Sequence, residues 1–473
     1  MADTENPVGR LEAAWRAGNL AEAQSFADLI LTNDPDHAGA LMIKVNLCFA
    51  AGEIAGSRPY LEHLARLHPQ ETMIWNNLGR ACLAANDLDA AARAFSEVLS
   101  SVPDESRALD GMGIVRHRQG YYAAARDLHR RAVDAEPDFA AAWCNLGVAE
   151  TDLARHEEGA DALDRALSLD PNDARSRFNR AILFLSAGDW KAGWPLYEAR
   201  LEVQPLSPQN GEVWRGQALS GEDVLLVPEQ GFGDFLQFVR FVRLVEQRGG
   251  KPVLAVPDTL RGLVAAQDWG IETTPAEDPS AARFWCPLMS LPSVFELEPT
   301  DIDGTSYIQA PSGSSRAAKD GIRVGLAWSG NPTHRRDRDR SLNLVDLVPV
   351  LEVPGVSFVN LQVGVRAADA DILARTPDLF IETPRLKDFA ATADVIAGLD
   401  LVISADTAVL HLAGAMGCQC WAMLPAVADW RWGREGMRTP WYDSMRLYRQ
   451  EQPRDWRPVL EAVRADLRRL AED

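Results

Sequence analysis

Three short segments of the chain hold residue types that can do chemistry together. The first is Glu229-Gln230-Gly231-Phe232-Gly233-Asp234. Its two glycines let the backbone approach a ligand closely, and Asp234 is placed to take a proton from an acceptor hydroxyl. The alternative role for Asp234 is a helix cap. The second is Asn331-Pro-Thr-His334-Arg-Arg-Asp337-Arg-Asp-Arg340-Ser341, with four arginines in six residues. Guanidinium groups bind phosphate oxygens in a fork, and the alternative is a solvated loop whose arginines are offset by Asp337 and Asp339. The third is Ser404-Ala-Asp406-Thr407-Ala-Val-Leu-His411-Leu-Ala-Gly414. A strand ending at Ser404 and a helix opening after it would leave free amides and a positive dipole end, an anion site. Thr407 and His411, four apart, share one face of that helix. Residues 174–473 contain two histidines, His334 and His411, and both fall in these segments.

The elements around the segments alternate. Asp223–Pro228 reads as a buried strand, Phe235–Arg248 as an amphipathic helix and Lys251–Val256 as the next strand. A second unit begins at Gly321–Trp328 and continues through Val356–Leu361 and Leu399–Ser404. Such alternation predicts parallel α/β units with a ligand cleft between them. Asp388-Phe-Ala-Ala-Thr392-Ala starts a helix whose polar face would border that cleft. Asp429-Trp-Arg-Trp432 fits a base pocket or core packing equally. Pro205, Pro208, Asn210 and Gly211 mark one linker, and Ala310–Ser315 another.

The first 207 residues have a different texture. Prolines recur at 35, 69, 103, 137, 171 and 205, always 34 apart, the length of a tetratricopeptide repeat. Trp75, Leu78 and Gly79 recur in phase as Leu109, Met112 and Gly113, then as Trp143, Leu146 and Gly147. Ala91, Ala125 and Gly159 hold one position of the second helices, and Phe95, Leu163 and Tyr197 another. Each repeat is a helical hairpin with small residues at the crossing and a proline ending the second helix. About six are expected over residues 4–207, stacked because one hairpin cannot bury its own apolar face. Asn77, Asn145 and Asn179 share one phase of the first helices, where side-chain amides would bond an extended peptide on a concave face.

A net charge of −20 argues against nucleic acid or an anionic membrane as the main partner. The sequence carries no secretory signal pattern and no apolar run of membrane-spanning length. Its six scattered cysteines suit a reduced, cytoplasmic protein. Cys418 and Cys420 are too close together for zinc-finger pairing.

At the three chemical segments and at Asp429–Trp432 the chain resembles the bacterial tetratricopeptide glycosyltransferases. Their catalytic half is similar to the lipopolysaccharide heptosyltransferases and more distantly to O-linked N-acetylglucosamine transferase. The patterns E-Q-G-x-G-D, W-x-G-N-P-x-H-x-x-D-x-x-R-S, D-T-A-x-x-H-L-A-G and D-W-R-W are all present. The resemblance implies an α-solenoid of tetratricopeptide repeats (1–207) followed by an α/β GT-B glycosyltransferase of two Rossmann-like units. These are an N-terminal unit (211–316) and a C-terminal unit binding a nucleotide-sugar (317–473). It implies no metal and no cofactor, Asp234 as base, Arg340 on the donor phosphate, and Asp406 and Thr407 near the donor. With them, Gly231, Gly233, Asn331, His334, Ser404 and His411 complete the candidate donor site. The repeats would hold a protein acceptor through Asn77, Asn145 and Asn179. Proteins of this build include flagellin glycosyltransferases, so flagellin is a candidate acceptor on architecture alone. The expected activity is transfer to Ser or Thr of a protein. Transfer to a saccharide or lipid intermediate, and a repeat scaffold with an inactive transferase half, are the alternatives. The short first α/β unit leaves the acceptor class open, and the sugar is not legible.

Overall fold

In the computed structural model, which describes residues 6–207, 209–279, 282–312, 321–376, 379–381 and 385–472, each periodic proline follows a helix end by two positions. Six hairpins result. They are α1 (Pro7–Arg16) with α2 (Leu20–Asn33), α3 (Ala38–Ala50) with α4 (Arg58–Leu67), and α5 (Thr72–Ala84) with α6 (Leu88–Ser101). Next come α7 (Ser106–Arg118) with α8 (Tyr122–Ala135), α9 (Ala140–Asp152) with α10 (His156–Leu169), and α11 (Ala174–Ser186) with α12 (Trp190–Tyr197), extended by α13 (Arg200–Val203). The chain forms two compact units, residues 1–176 and 177–473, divided within α11.

The first unit is a tetratricopeptide array whose period is repeated in its bonds. Trp75 donates its indole N–H to the Pro69 carbonyl at 2.9 Å, and Trp143 does the same to Pro137 at 2.9 Å. The crossings need small residues. Phe95 is buried between Gly79 and Gly111, where an added Cβ would come within 2.5 and 2.3 Å of its ring. The ring cannot swing from one without striking the other.

The second unit holds two five-stranded sheets, both wholly parallel. The first comprises β1 (Glu212–Val213), β2 (Asp223–Val227), β3 (Lys251–Val256), β4 (Glu272–Pro275) and β5 (Phe284–Pro287), in the order β1-β5-β2-β3-β4. The second comprises β6 (Ile322–Ala327), β7 (Val356–Asn360), β8 (Leu401–Ala405), β9 (Cys420–Leu424) and β10 (Met445–Arg449), in the order β10-β9-β8-β6-β7. β8 and β9 are buried at every residue, as parallel strands covered on both faces must be. The covering helices include α14 (Phe232–Phe238), α15 (Asp258–Ala265), α16 (Leu291–Val294), α17 (Asp337–Arg340), α18 (Leu344–Leu351), α19 (Ala367–Arg375), α20 (Phe389–Ala397), α21 (Ala408–Ala415) and α22 (Arg457–Glu472). The helix expected over Phe235–Arg248 is α14 followed by a 3-10 helix, Val239–Arg248. Pro208 of the first expected linker and residues 313–315 of the second lie outside the described residues.

Strand order reverses between β2 and β5 in one sheet, and between β6 and β8 in the other. These switch points are where such sheets receive ligands, at the carboxyl strand ends. The turn after β2 is Glu229–Asp234. The loops after β6 and β8 hold Asn331–Ser341 and Asp406–Thr407. Ala327 is in register with Ser404, so those two loops emerge side by side.

The sixth hairpin is part of this second unit. Trp190, Trp194 and Tyr197 are buried in one aromatic cluster with Trp430 and Trp441. Trp190 stacks on Trp441 at 5.0 Å, and Trp194 meets Trp430 edge-on at 5.4 Å. Arg200 forks onto Glu229 at 2.9 and 2.7 Å, both side chains almost wholly buried. A fragment beginning at residue 211 loses these aromatics, each worth roughly 1.5–3 kcal/mol of burial. It also leaves Glu229 buried without its cation, a cost of about 3–5 kcal/mol. We predict a sharp thermal transition for residues 171–473 and none for 211–473. Equally sharp melting of both would show that the hairpin is dispensable to the α/β fold.

Candidate functional site

The turn after β2 is fixed before it reaches Asp234. Glu229 takes the Arg200 fork and also accepts the Met289 amide at 3.1 Å, tying the ends of β2 and β5 together. Gln230 then turns with φ of 51°, an uncommon conformation for a residue with a side chain. Gly231 precedes α14, and its amide donates to Asp234 Oδ2 at 2.8 Å. The other oxygen, Oδ1, accepts from Arg431 of the segment after β9. The carboxylate holds its own helix start, as a cap does, and also reaches across to the second sheet. Gly233 serves packing: a Cβ there would lie 2.8 Å from the His411 ring. At this point α14 and α21 meet in direct contact rather than across the open cleft expected between the sheets.

Arg431 spends its whole fork. It donates to Asp234, to Asp429 Oδ1 at 2.8 Å and to Gln237 Oε1 at 2.5 Å. Its plane lies over the Trp430 ring, 4.6 Å from the centroid. Trp430 and Trp432 are buried, so the Asp429–Trp432 stretch is core packing around an ion-pair centre. The type of this arginine was legible in the sequence. Its two carboxylate partners, one of them 197 residues distant, were not.

On the second sheet, Asn331 organises its own loop, its Oδ1 accepting from the Thr333 amide and hydroxyl at 3.0 and 2.9 Å. Exposed His334 accepts the Arg336 amide on Nδ1 at 3.3 Å. Desolvation and the charges of Arg340 and Arg335 push its pKa down. The two aspartates of the loop do not simply offset its arginines. Asp337 is buried and paired with Arg366 and the Ser341 hydroxyl, and Asp339 is buried and paired with Arg454. Arg340 donates to the Asp406 carbonyl at 2.9 Å, joining the loops after β6 and β8. Its Nε, 3.7 Å from the Asp337 carboxylate, is buried without a hydrogen-bond acceptor among the described residues. Ser404, fully buried, lies 3.1 Å from the Thr407 hydroxyl. Thr407 opens α21, and no side chain caps it, which leaves the first amides of that helix for an anion. Asp388 caps α20 through the Ala391 amide at 2.8 Å, and Phe389 packs on Phe232 at 5.3 Å.

The charges gather around buried Arg431, with Asp234 half-buried and the Asp429 side chain 40% exposed. Burial raises the Asp234 carboxyl, against the pull of Arg431. Burial and the Asp429 charge raise Asp406, against Arg340. Burial would raise Asp429 too, but Arg431 outweighs it and holds Asp429 low. His411 stacks on Trp432 at 5.2 Å, meets the Tyr442 hydroxyl at 3.0 Å and lies 3.9 Å from Asp406. Burial, then the charge of Arg431, pushes its pKa down to about 3. It is a neutral imidazole at pH 7, able to share a hydrogen bond but not to supply positive charge to a phosphate.

The three asparagines of the repeats are not equivalent. Asn145 is buried, donating to Asp110 at 3.0 Å and accepting from Arg175 at 2.9 Å. Its amide is spent inside the array, which corrects the expectation that it faces a peptide. Asn77 is half-buried and accepts weakly from Arg80 at 3.4 Å. Asn179 is half-buried and belongs to the second unit.

The chain holds an array of tetratricopeptide repeats and, in its second unit, two wholly parallel five-stranded sheets compatible with Rossmann-like units. A tetratricopeptide repeat model matches residues 9–70, 46–106 and 111–174. Protein FlbA of Caulobacter vibrioides is 27% identical in an alignment covering 98% of this chain and 85% of that protein. The protein O-mannosyl-transferase TMTC3 of Homo sapiens is 25% identical over 136 residues, 28% of this chain and 15% of its own length. Among solved structures, MamA has a TM-score of 0.33 and 17% identity, covering 37% of this chain and 94% of that one.

The depressed His411 pKa gives a signed pH dependence. An unfolded imidazole takes a proton near pH 6.5, while folded His411 does not until about pH 3. Stability tied to this residue is complete above pH 6.5 and drains away as pH falls, by up to roughly 1.4 kcal/mol per unit. We predict that His411→Gln flattens the fall in melting temperature between pH 6.5 and 4.5. Parallel parent and variant curves would refute the assignment.

Proposed function

We propose that the chain is a protein O-glycosyltransferase with a GT-B arrangement of its two Rossmann-like units. It moves a sugar from a nucleotide-sugar to Ser or Thr of a protein recruited by the repeats. One observation carries the reading: Asp234, from the switch point of one sheet, pairs with Arg431 of the segment after β9, while Gly233 beside it packs on His411 of α21, the helix that opens at the switch point of the other. Arg340, whose Nε has no hydrogen-bond acceptor among the described residues, and the uncapped start of α21 suit the donor phosphate. In the reaction, the acceptor oxygen bonds to the sugar's anomeric carbon as its proton passes to Asp234. The bond to phosphate breaks with its electron pair on the leaving oxygen, whose charge Arg340 and the α21 amides meet. No metal takes part in this scheme. Tetratricopeptide arrays commonly hold protein partners, and flagellin is the acceptor to try first. The O-mannosyl-transferase name of TMTC3 points the same way, over a short alignment.

The rival reading is a repeat scaffold with an inactive transferase half. It draws on Asp234 having both oxygens engaged, by Gly231 and Arg431. Two measurements separate them. Arg340→Ala and Thr407→Val are expected to weaken nucleotide binding by about ten- to a hundredfold, as loss of a charge-assisted contact of roughly 1.5–3 kcal/mol would, with melting temperature little changed. Unchanged affinity in both variants would remove the phosphate assignment. Asp234→Asn should keep nucleotide affinity and lose transfer by about 10²–10⁴-fold, read as the mass added to co-expressed flagellin. Transfer at the parent's rate would place the base elsewhere. A parent that binds nucleotide-sugars but modifies no protein, saccharide or lipid would favour the scaffold.

A further inference from the structure

We infer that Arg431 is the positioning residue that makes Asp234 usable as a base, an inference that rests on the transferase reading. Asp234 is half-buried and stands on a helix whose next residues, Phe235, Leu236, Gln237 and Phe238, are all buried. A lone carboxylate in such surroundings takes up a proton and stops being a base. Arg431 is the cation that touches it, and the contact cannot drift. Gln237, one turn along the same helix, accepts the Arg431 Nε at 2.5 Å. Asp429 accepts both the Arg431 Nη1 at 2.8 Å and its backbone amide at 3.1 Å. The guanidinium is clamped between Phe238 and Trp430, 5.6 and 4.6 Å from their centroids. Its third corner therefore falls on Asp234 by construction. With Gly231 holding Oδ2 and Arg431 holding Oδ1, both oxygens of the carboxylate are tethered.

Arg431 touches no reacting atom in this account. It acts through Asp234, leaving the carboxylate ionised so that the acceptor proton has somewhere to go as the new bond to oxygen forms. The other charged or titratable groups around the pair are Asp429 beside Arg431, Tyr197 of α12, Asp406 and His411 at β8–α21, and Arg240 of the 3-10 helix. Among these, Asp429 is the partner that Arg431 must share. Lysine at 431 keeps the charge but has no fork, so it can serve one carboxylate well and not both.

The experiment uses the full chain and two readouts. In the first, transfer is followed against pH for the parent, Arg431→Lys and Arg431→Met, after Asp234→Asn has been shown to abolish it. The acid limb of kcat/KM should move alkaline by roughly one to three pH units in Arg431→Met, the effect of removing an opposite charge. It should move less in Arg431→Lys, while the affinity for nucleotide alone stays at the parent's value in both. In the second, a thermal-stability cycle needs no activity. Asp234→Asn should lower the melting temperature of the parent but raise that of Arg431→Met at pH 8, where it removes an unpaired buried charge. That rise should vanish at pH 5. A common acid limb in all three proteins, or Asp234→Asn having the same sign in both backgrounds at pH 8, overturns the inference. If Arg431→Met does not fold, the same two comparisons in Arg431→Lys, smaller in size, decide it. A parent with no transfer defeats the transferase reading and this inference with it, while a sign reversal in the cycle would still identify the ion pair as structural.

Discussion

The burial of one guanidinium orders the second unit of this protein. Arg431 sits where water is excluded, and an uncompensated charge there is not tolerable. Each of its three side-chain nitrogens has therefore drawn in an acceptor: Asp429 from its own loop, Gln237 and Asp234 from the first helix after β2. Those three demands fix how α14 lies on the second sheet. They also decide which glycine must follow Gly231, since α14 can approach α21 only where Gly233 leaves room for the His411 ring. His411 in turn is pressed against Trp432, next in the chain to Arg431. The chemistry expected of Asp234 is thus inseparable from the packing around it. A site read from the first sheet's turn is half built by a loop of the second.

The sixth hairpin has a double character. By period and by its proline it is a tetratricopeptide repeat like the five before it. By packing it belongs to the sheets: its tryptophans close the aromatic cluster around Trp430, and Arg200 neutralises the first residue of the Glu229–Asp234 turn. Arg200 and Arg431 stand at opposite ends of that turn and do similar work. Arg200 lets Glu229 be buried and Arg431 pairs with half-buried Asp234, both carboxylates lying at one switch point.

Legibility in the sequence followed the range of the interaction. The hairpins were readable because a proline every 34 residues ends a helix by its own covalent structure, whatever surrounds it. β2, β3, β6, β7 and β8 were readable as short apolar runs. β9 and β10 were not singled out. Cys420–Leu424 is five apolar residues with no alternation, and Met445–Arg449 carries two arginines that the fold satisfies with Asp466 and with backbone carbonyls. The turn from α-helix to 3-10 geometry after Phe238 left no mark in the pattern. At the candidate site, Asp234, Arg340, Asp406 and Thr407 were singled out by type and spacing, and their roles by resemblance. Arg200, Gln237 and Tyr442 entered only through tertiary contact, as did the partners of Arg431. The asparagine phase misled at Asn145, because equal spacing places residues on one face without saying whether a neighbour such as Asp110 has already claimed them.

The placement of the sixth hairpin also bears on how chains of this build can change length. Within the first five hairpins contacts recur every 34 residues: Arg131 donates to the Pro103 carbonyl and to Asp104, and Arg165 to the Pro137 carbonyl and to Asp138. Duplication or loss of one whole period upstream of α11 would leave the pattern in phase and every contact of Trp190, Trp194 and Arg200 intact. The array is in that sense a ruler whose free end can be extended or trimmed by recombination between its own repeats, while its last division is riveted to the α/β unit and cannot be counted out.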